Sequence, residues 1–312
     1  NVLKCELCET KCPIGLILET GNNLYDYRSK IRIKNGDSKP IRLNAAILKN
    51  GNEEPVGGVV SFRDLSELET LRKDRASGNS FCGLIGHGKA MQEIFELIRE
   101  ISDSDAAVLI QGESGTGKEL IANAIHYNSP RLNGPFIKLN CAALPESLLE
   151  SELFGYVGGA FTGARKGGKQ GLFEIAENGT LFLDEIAELP LGPQARILRT
   201  IQENCIRRIG GTQEIPINAR IITATNQNLE QMVAQKLFRQ DLFYRINVLP
   251  IHIPPLNERM DDIPLLVEHF LFQLSHKLGQ EAPRLSAIAL NKLYRHNWPG
   301  NVRELKNVVE RA

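Results

Sequence analysis

The chain has 312 residues, of which 42% are hydrophobic and 24% charged, an ordinary composition for a globular protein of two or three domains. Its 37 basic and 37 acidic residues balance, so the bulk charge does not indicate binding to nucleic acid or to an anionic membrane. No signal peptide is visible in the given sequence, no apolar run reaches about 18 residues, and the cysteines do not form a secreted disulfide pattern. We therefore expect a cytoplasmic protein without a membrane segment.

Three cysteines lie close together at the start of the chain, at Cys5, Cys8 and Cys12. Followed by Pro13, they resemble the end of a bacterial ferredoxin-type cluster motif, but the upstream cysteine of that motif would fall at Val2. With a fourth ligand from elsewhere, three thiolates could hold an iron–sulfur cluster or zinc. A thiol redox switch and reduced cysteines without a ligand are alternative interpretations that remain open.

The first 64 residues are predicted to form an antiparallel sheet. Side chains typical of strands occur at 31–34, 41–48 and 56–62, and the first two of these segments alternate between apolar and polar residues. Asn35-Gly36 and Asn50-Gly51 are predicted turns between them. A charged amphipathic helix is predicted at 65–74, within a connector and linker that occupy 65–82.

Residues 83–253 are predicted to form a three-layer α/β domain with a parallel sheet, because short apolar strands alternate with helical patterns. The predicted strands occupy 106–110, 136–139, 180–183, 220–225 and 248–253. Residues 254–312 contain only helical patterns, which indicates a small helical domain. Because the last helical pattern continues to Ala312, we expect further chain beyond it.

A phosphate-binding loop is predicted after the strand at 106–110, at the start of a helix. The segment Gly112-Glu113-Ser114-Gly115-Thr116-Gly117-Lys118 fits the pattern G-x-x-x-x-G-K in the context that this motif requires. Its backbone N–H groups would converge on phosphates, and Lys118 would neutralise the outer ones. Glu119 stands where a Ser or Thr usually binds magnesium, so the metal must depend more on phosphates, water and a carboxylate elsewhere. A glycine-rich structural turn is the alternative interpretation.

Two adjacent acids, Asp184 and Glu185, end the apolar strand at 180–183. Charge at the end of a buried strand is costly unless something binds it. We expect Asp184 to hold Mg²⁺, directly or through water, and Glu185 to polarise the attacking water. An N-cap and a first-turn acid of the next helix are the alternative interpretation.

From residue 84 to the end, the sequence resembles the AAA+ activators of sigma-54 RNA polymerase, the bacterial enhancer-binding proteins. The most specific element is Gly159-Ala160-Phe161-Thr162-Gly163-Ala164, which matches the GAFTGA loop that contacts the sigma factor in this family. Seven glycines between Gly155 and Gly171 disfavour a helix or strand there. We therefore expect Phe161 in a flexible loop as a partner contact, the alternative being that it folds back into a pocket.

The resemblance implies further site residues. Asn140 would hold Glu185 in an inactive pose, and Asn226 would sense the γ-phosphate. Arg239 and Arg245 would be fingers offered to a neighbouring subunit's ATP. From the residues alone, both arginines are interpreted as solvated or paired with Asp241.

Two further segments match the family. Arg303, in the segment Trp298-Pro299-Gly300-Asn301-Val302-Arg303, would be the second sensor of the nucleotide state. Asn301 is predicted to cap the last helix, with Glu304 reaching back. Ile85 and Gly86 resemble the segment that packs on the adenine.

The resemblance implies an ATPase that uses ATP and Mg²⁺, assembles as a hexamer or heptamer ring, and remodels the closed complex of sigma-54 RNA polymerase. Promoter or enhancer DNA would bind a domain beyond Ala312. Residues 1–64 resemble the last part of a PAS sensor domain that would gate ring assembly. An AAA+ ATPase for another protein, and a sensory module with a degenerate ATPase core, are the alternative functions.

Overall fold

The structure, a computed structural model, describes residues 4–5, 24–32, 38–49, 55–64, 80–162, 164, 167–278, 283 and 285–312. The chain divides into two compact units, Asn1–Ala76 and Ser77–Ala312. The predicted helix at 65–74, Cys8, Cys12 and Gly163 lie outside the described residues, and only the backbone of Cys5 is described. The metal, cluster and redox interpretations of the cysteines therefore stay predictions.

The first unit contains a four-stranded antiparallel sheet in the order β1-β2-β3-β4. Its strands are β1 Lys4–Cys5, β2 Leu24–Arg32, β3 Ser38–Lys49 and β4 Pro55–Asp64. The predicted strands at 41–48 and 56–62 are confirmed as β3 and β4, whereas the strand predicted at 31–34 shares only residues 31 and 32 with β2. Ile41, Leu43 and Ala45 are buried at alternate positions of β3, as expected when one face of a sheet is packed.

The second unit is built on a five-stranded parallel sheet, which confirms the predicted α/β fold. The strands are β7 Val108–Gln111, β8 Phe136–Asn140, β9 Thr180–Asp184, β12 Arg220–Thr225 and β13 Leu249–His252, in the order β13-β7-β12-β9-β8. Every residue of β12 is buried, because the strand lies between β7 and β9 and under helices. The carboxyl ends of all five strands meet at one edge, where ligands bind in such sheets.

Short strands and helices connect this sheet. The short strands are β5 Ser80–Phe81, β6 Leu84–Ile85, β10 Cys205–Arg207 and β11 Glu214–Pro216. The helices are α1 Lys89–Ser102, α2 Lys118–Tyr127, α3 Glu146–Phe154, α4 Leu172–Ile175, α5 Leu191–Glu203, α6 Leu229–Ala234 and α7 Gln240–Ile246. Their apolar faces and the sheet form one core, in which Leu181, Leu183 and Ile197 are fully buried.

The C-terminal part is helical, as predicted. It contains the 3₁₀ turns Leu256–Glu258 and Met260–Asp262 and the helices α8 Ile263–Leu278, α9 Ala287–Tyr294 and α10 Asn301–Arg311. Leu256, Ile263, Trp298 and Leu305 form the centre of its core. No helix in the described part of the chain is long and apolar enough to cross a lipid bilayer.

The prediction that Asn301 caps α10 is wrong. The helix begins at Asn301 itself, which has a φ of 53° and a side chain directed away from the α10 backbone. Glu304 does reach back, but its Oε2 accepts the N–H of Gly300 at 2.9 Å. The Asn301 amide has better acceptors across the fold than in its own helix, as its contacts below show.

Candidate active site

The phosphate loop Gly112–Lys118 connects β7 to α2 at the carboxyl edge of the sheet. Gly115 and Gly117 have φ values of 82° and 108°, where side chains other than hydrogen are rarely tolerated. Lys118 is 7% exposed, and its Nζ donates to the Gly112 carbonyl at 3.0 Å. The loop therefore holds its cation inward over a concave run of backbone amides, which fits a polyphosphate.

The two acids face this lysine. Glu185 follows β9 with a φ of 52°, a left-handed conformation that costs about 1–2 kcal/mol at a non-glycine residue. Its Oε1 lies 3.5 Å from Lys118 Nζ, and its Oε2 accepts the backbone N–H of Asn226 at 3.2 Å. Burial, then the Glu185 carboxylate, raise the pKa of Asp184 above its ordinary value, while Lys118 opposes that shift. The left-handed backbone thus directs the Glu185 carboxylate to Lys118 of the phosphate loop.

Asn140 contacts a different acid from the one we expected. Its Nδ2 lies 3.5 Å from Asp184 Oδ2, and its Oδ1 accepts the N–H of Ala142 at 2.9 Å. Asn140 and Asp184 are paired residues of β8 and β9, whereas the left-handed turn carries the Glu185 carboxylate toward Lys118 and Asn226. The register of the sheet therefore explains why Asn140 holds Asp184.

The metal-binding residues can be narrowed down. The Glu119 carboxylate pairs with Lys138 Nζ on β8 at 2.9 Å, while Asp184 and Glu185 interact electrostatically with Lys118. Within the described ranges, no group of three or more His, Cys, Asp or Glu side chains could hold a metal ion by itself. Asp184 therefore fits Mg²⁺ only together with phosphate and water oxygens, which is how this ion usually binds nucleotides.

The helical part closes the site from the other side. Arg303 Nη1 donates to Ser114 Oγ at 3.0 Å, so the predicted sensor lies against the phosphate loop. The Asn301 amide donates to Glu113 Oε2 at 2.9 Å and to the Ser114 carbonyl at 3.1 Å. Its Oδ1 accepts the N–H of Leu256 at 2.7 Å, and the side chain is fully buried. Asn301 therefore fastens the helical part to the phosphate loop.

A second fastening involves Arg259 and Asp262, which sequence reasoning missed. Arg259 Nη2 donates to the Thr116 carbonyl at 3.0 Å, and burial lowers the pKa of this guanidinium. Asp262 Oδ1 accepts the N–H groups of His87 and Gly88 at 2.6 and 3.0 Å. The turn that carries both residues therefore links the phosphate loop to the segment after Gly86.

The predicted adenine segment lies beside this turn. Ile85 is partly buried against the core of the helical part. A Cβ at Gly86 would come within 2.5 Å of Met91 Cβ and 3.2 Å of Asp262 Oδ2, so only glycine fits there. Gly86 thus lies between α1 and the turn Met260–Asp262, and the adenine contact of both residues stays a prediction.

The two arginines lie at either end of α7, where neither is hydrogen-bonded to the described residues of its own phosphate loop. Arg239 Nη2 pairs with Asp241 Oδ2 at 2.7 Å, and Arg239 is 42% exposed. Arg245 Nη2 donates to the Ile201 carbonyl at 3.1 Å. Arg239 therefore pairs with Asp241, one of the two alternatives that the residues alone indicated, whereas Arg245 bonds a backbone carbonyl of α5 instead.

The glycine-rich loop is closed at its base. Tyr156 and Lys169 exchange backbone hydrogen bonds of 3.0 and 2.9 Å, and Val157 N–H donates to the Ile209 carbonyl at 3.0 Å. We call this base the neck. Phe161 is 45% exposed, and its ring meets the Tyr156 ring at a centroid distance of 4.9 Å. The aromatic side chain is thus half-buried on the neck, between the two expected extremes.

Known proteins are similar to most of the chain. The family "Sigma-54 interaction domain" matches residues 84–252, and the family "AAA+ ATPase lid domain" matches residues 257–312. The chain is 46% identical over 297 residues to the "Signal-transduction and transcriptional-control protein" of Clostridium beijerinckii, which covers 94% of this chain and 47% of that protein. It is 52% identical over 248 residues to the nitrogen fixation protein VnfA of Azotobacter vinelandii, with 79% and 47% covered.

A solved structure supports the same grouping. Crystalline NtrX from Brucella abortus in complex with ADP is 39% identical, with a TM-score of 0.68 over 78% of this chain and 53% of NtrX. The chain spans about half the length of the curated relatives it matches. Because the first family match covers more than half of its residues, and the second follows directly, the chain belongs to the sigma-54 interaction domain family and has the AAA+ P-loop ATPase fold with its helical lid.

Proposed function

We propose that this chain hydrolyses ATP in order to activate transcription by sigma-54 RNA polymerase. One observation carries the ATPase proposal: Lys118, Asp184 and Glu185 converge on the glycine loop, and Arg303 from the helical lid reaches the same loop. This arrangement provides a cation for the phosphates, an acid for a metal and a second acid for water. The Clostridium beijerinckii relative, which is named a transcriptional-control protein, supports the transcriptional role.

Each side chain has a distinct part in the proposed reaction. Lys118 neutralises the outer phosphates, and the loop amides orient them. Glu185, held by the Asn226 N–H, accepts the proton of the water that attacks the γ-phosphorus. Asp184 would hold Mg²⁺, which would supply positive charge to the phosphates. Asn140 orients the Asp184 carboxylate.

Hydrolysis requires a second copy of the chain in this proposal. Arg239 and Arg245 are exposed, and their hydrogen bonds go to Asp241 and Ile201 and not to their own phosphate loop. We therefore assign them to the ATP of an adjacent copy in a hexamer or heptamer ring. Phe161 then contacts the sigma factor, and movement of its loop remodels the closed promoter complex. Promoter or enhancer DNA is bound by a domain beyond Ala312.

We propose a corresponding division of the chain. Residues 1–64 are a PAS-like sensor segment, 65–82 a connector, 83–253 the α/β ATPase domain and 254–312 the lid. The antiparallel meander of β2, β3 and β4 supports the sensor assignment. The protein acts in the cytoplasm, where its polymerase partner is found.

The decisive experiment measures binding of the purified chain to sigma-54 in the presence of ADP–aluminium fluoride, a mimic of the transferring phosphate. We expect binding that depends on the nucleotide mimic and is lost in Phe161→Ala. Tyr294→Ala, which removes a 39% exposed aromatic ring from the lid, is the matched control and should bind normally. Absence of binding together with normal ATP hydrolysis would assign the ATPase to another protein substrate. Absence of hydrolysis would refute the catalytic role of the site.

A further inference from the structure

A fully buried glutamine on α5 joins the segment after the catalytic acids to the segment that carries Arg239. Gln194 is 0% exposed. Its Oε1 accepts the Arg239 N–H at 2.8 Å, and its Nε2 donates to the carbonyls of Leu189 and Leu237 at 2.7 and 3.1 Å. All three hydrogen bonds of the amide therefore go to backbone groups of two other segments. A residue that only filled the core would not need them.

These bonds hold the start of α7, the helix that carries the two arginines at its ends. Arg239 is the N-cap of α7, and Phe238 before it is only 2% exposed. At the other end of α7, Arg245 Nη2 donates to the carbonyl of Ile201, which also belongs to α5. Helix α5 thus contacts both arginines of α7, one through a side chain and one through a carbonyl. The Arg239 side chain itself is 42% exposed and pairs with Asp241 on the surface.

The same amide reaches toward the catalytic acids. Leu189 follows Glu185 through the single 3₁₀ turn Ile186–Glu188, and its carbonyl accepts the Gln194 amide. The Gln194 side chain thereby links the backbone of the segment after Glu185 to the backbone of Arg239. In this way, the Arg239 that one copy offers to its neighbour is linked to the segment after the catalytic acids of its own copy.

We propose that Gln194 is the positioning residue of the Arg239 finger. The inference rests on the proposed trans action of Arg239, and it adds a residue that touches neither nucleotide nor metal. Misplacement of a catalytic group by about 1 Å can lower a rate about 100-fold. Gln194→Met keeps a side chain of similar length and removes all three bonds. We expect kcat for ATP hydrolysis to fall about 100-fold, with KM and binding of ATP within twofold of the unmodified chain.

Two variants separate positioning from general damage. Ile197→Val removes one methyl group from a fully buried residue of α5 and should leave kcat within twofold. In an Arg239→Ala background, Gln194→Met should lower kcat by less than twofold, because the group it positions is already gone. A further large decrease in that background would overturn the proposal, since Gln194 would then act on something other than Arg239.

A mixing experiment tests which site is damaged. Glu185→Gln copies cannot activate water, but they still offer intact fingers. Mixed with Gln194→Met copies, whose own acids are intact, they should restore hydrolysis, as they should with Arg239→Ala copies. Failure with both partners would refute the trans finger and hence the proposed function. Restoration with Arg239→Ala but not with Gln194→Met would overturn the role of Gln194 alone.

Discussion

Replacement of Asn301 by alanine tests the fastening between lid and phosphate loop. The change removes three hydrogen bonds, to Leu256 N–H, Glu113 Oε2 and the Ser114 carbonyl. Each bond contributes about 1 kcal/mol, and leaving the buried Leu256 N–H without an acceptor adds a cost of about 1–3 kcal/mol. Alanine at a φ of 53° costs about 1 kcal/mol more, because asparagine tolerates this conformation better. We expect the free energy of unfolding to fall by about 5–7 kcal/mol.

The chain carries its own reporter for this measurement. Trp298, its single tryptophan, is 3% exposed in the lid core close to Asn301. Its fluorescence during urea denaturation follows unfolding of the lid. Asn301→Gly loses the same bonds but not the conformational term, so it should be more stable than Asn301→Ala. A loss below about 1 kcal/mol in Asn301→Ala, or equal stability of the alanine and glycine variants, would refute this account.

Three further outcomes are expected. Burial, and then the charges of Asp184 and Glu185, raise the pKa of the Cys141 thiol to about 12. Iodoacetamide should therefore modify Cys141 at pH 8 only after the chain unfolds, which mass spectrometry can detect. The contribution of this thiol to the free energy of unfolding is fully present below the ordinary thiol pKa. It is lost as the pH rises toward 12, because the thiol ionises first in the unfolded chain. Burial and the Glu185 carboxylate raise the pKa of Asp184. As the pH falls, the affinity for Mg²⁺–ADP, measured by calorimetry, should therefore decrease at a higher pH than for an ordinary aspartate. Glu185→Gln should move the midpoint of this decrease to lower pH. Glu174→Gln weakens the ion pair with Arg208, whose bonds measure 2.9 and 2.6 Å, and should lower the free energy of unfolding by about 2 kcal/mol in urea.

Local patterns were sufficient for much of the fold and for the phosphate loop. A buried parallel strand is a short apolar run, and five such runs predicted five strands. Lys118 and Asp184 were identifiable because a glycine-rich turn and an acid at the end of a strand are both written in consecutive residues. The position of Arg303 near the loop was predicted only through the family resemblance, because it depends on how the lid packs.

Contacts between distant segments could not be predicted from local patterns. Asn301 was assigned to the nearest helix end, whereas its amide bonds Glu113, which is 188 residues away. Gln194 and Arg259 lie in stretches that read as ordinary helix and turn, and their bonding partners are supplied by the fold. Asn140 contacts Asp184 and not the expected Glu185, because the left-handed conformation of Glu185 has no signature in the sequence.

The neck of the glycine-rich loop makes the loop an exchangeable unit. Tyr156 and Lys169 already hold the ends of the loop together. The intervening chain can therefore change in length or composition without displacing the strands of the sheet or the catalytic acids. Doubling a flexible loop adds only about 0.6 kcal/mol of closure cost. Under the proposed role of Phe161, new residues grafted onto an unchanged ATPase would change the partner. A loop cut at this neck and transplanted between relatives should then transfer the choice of partner.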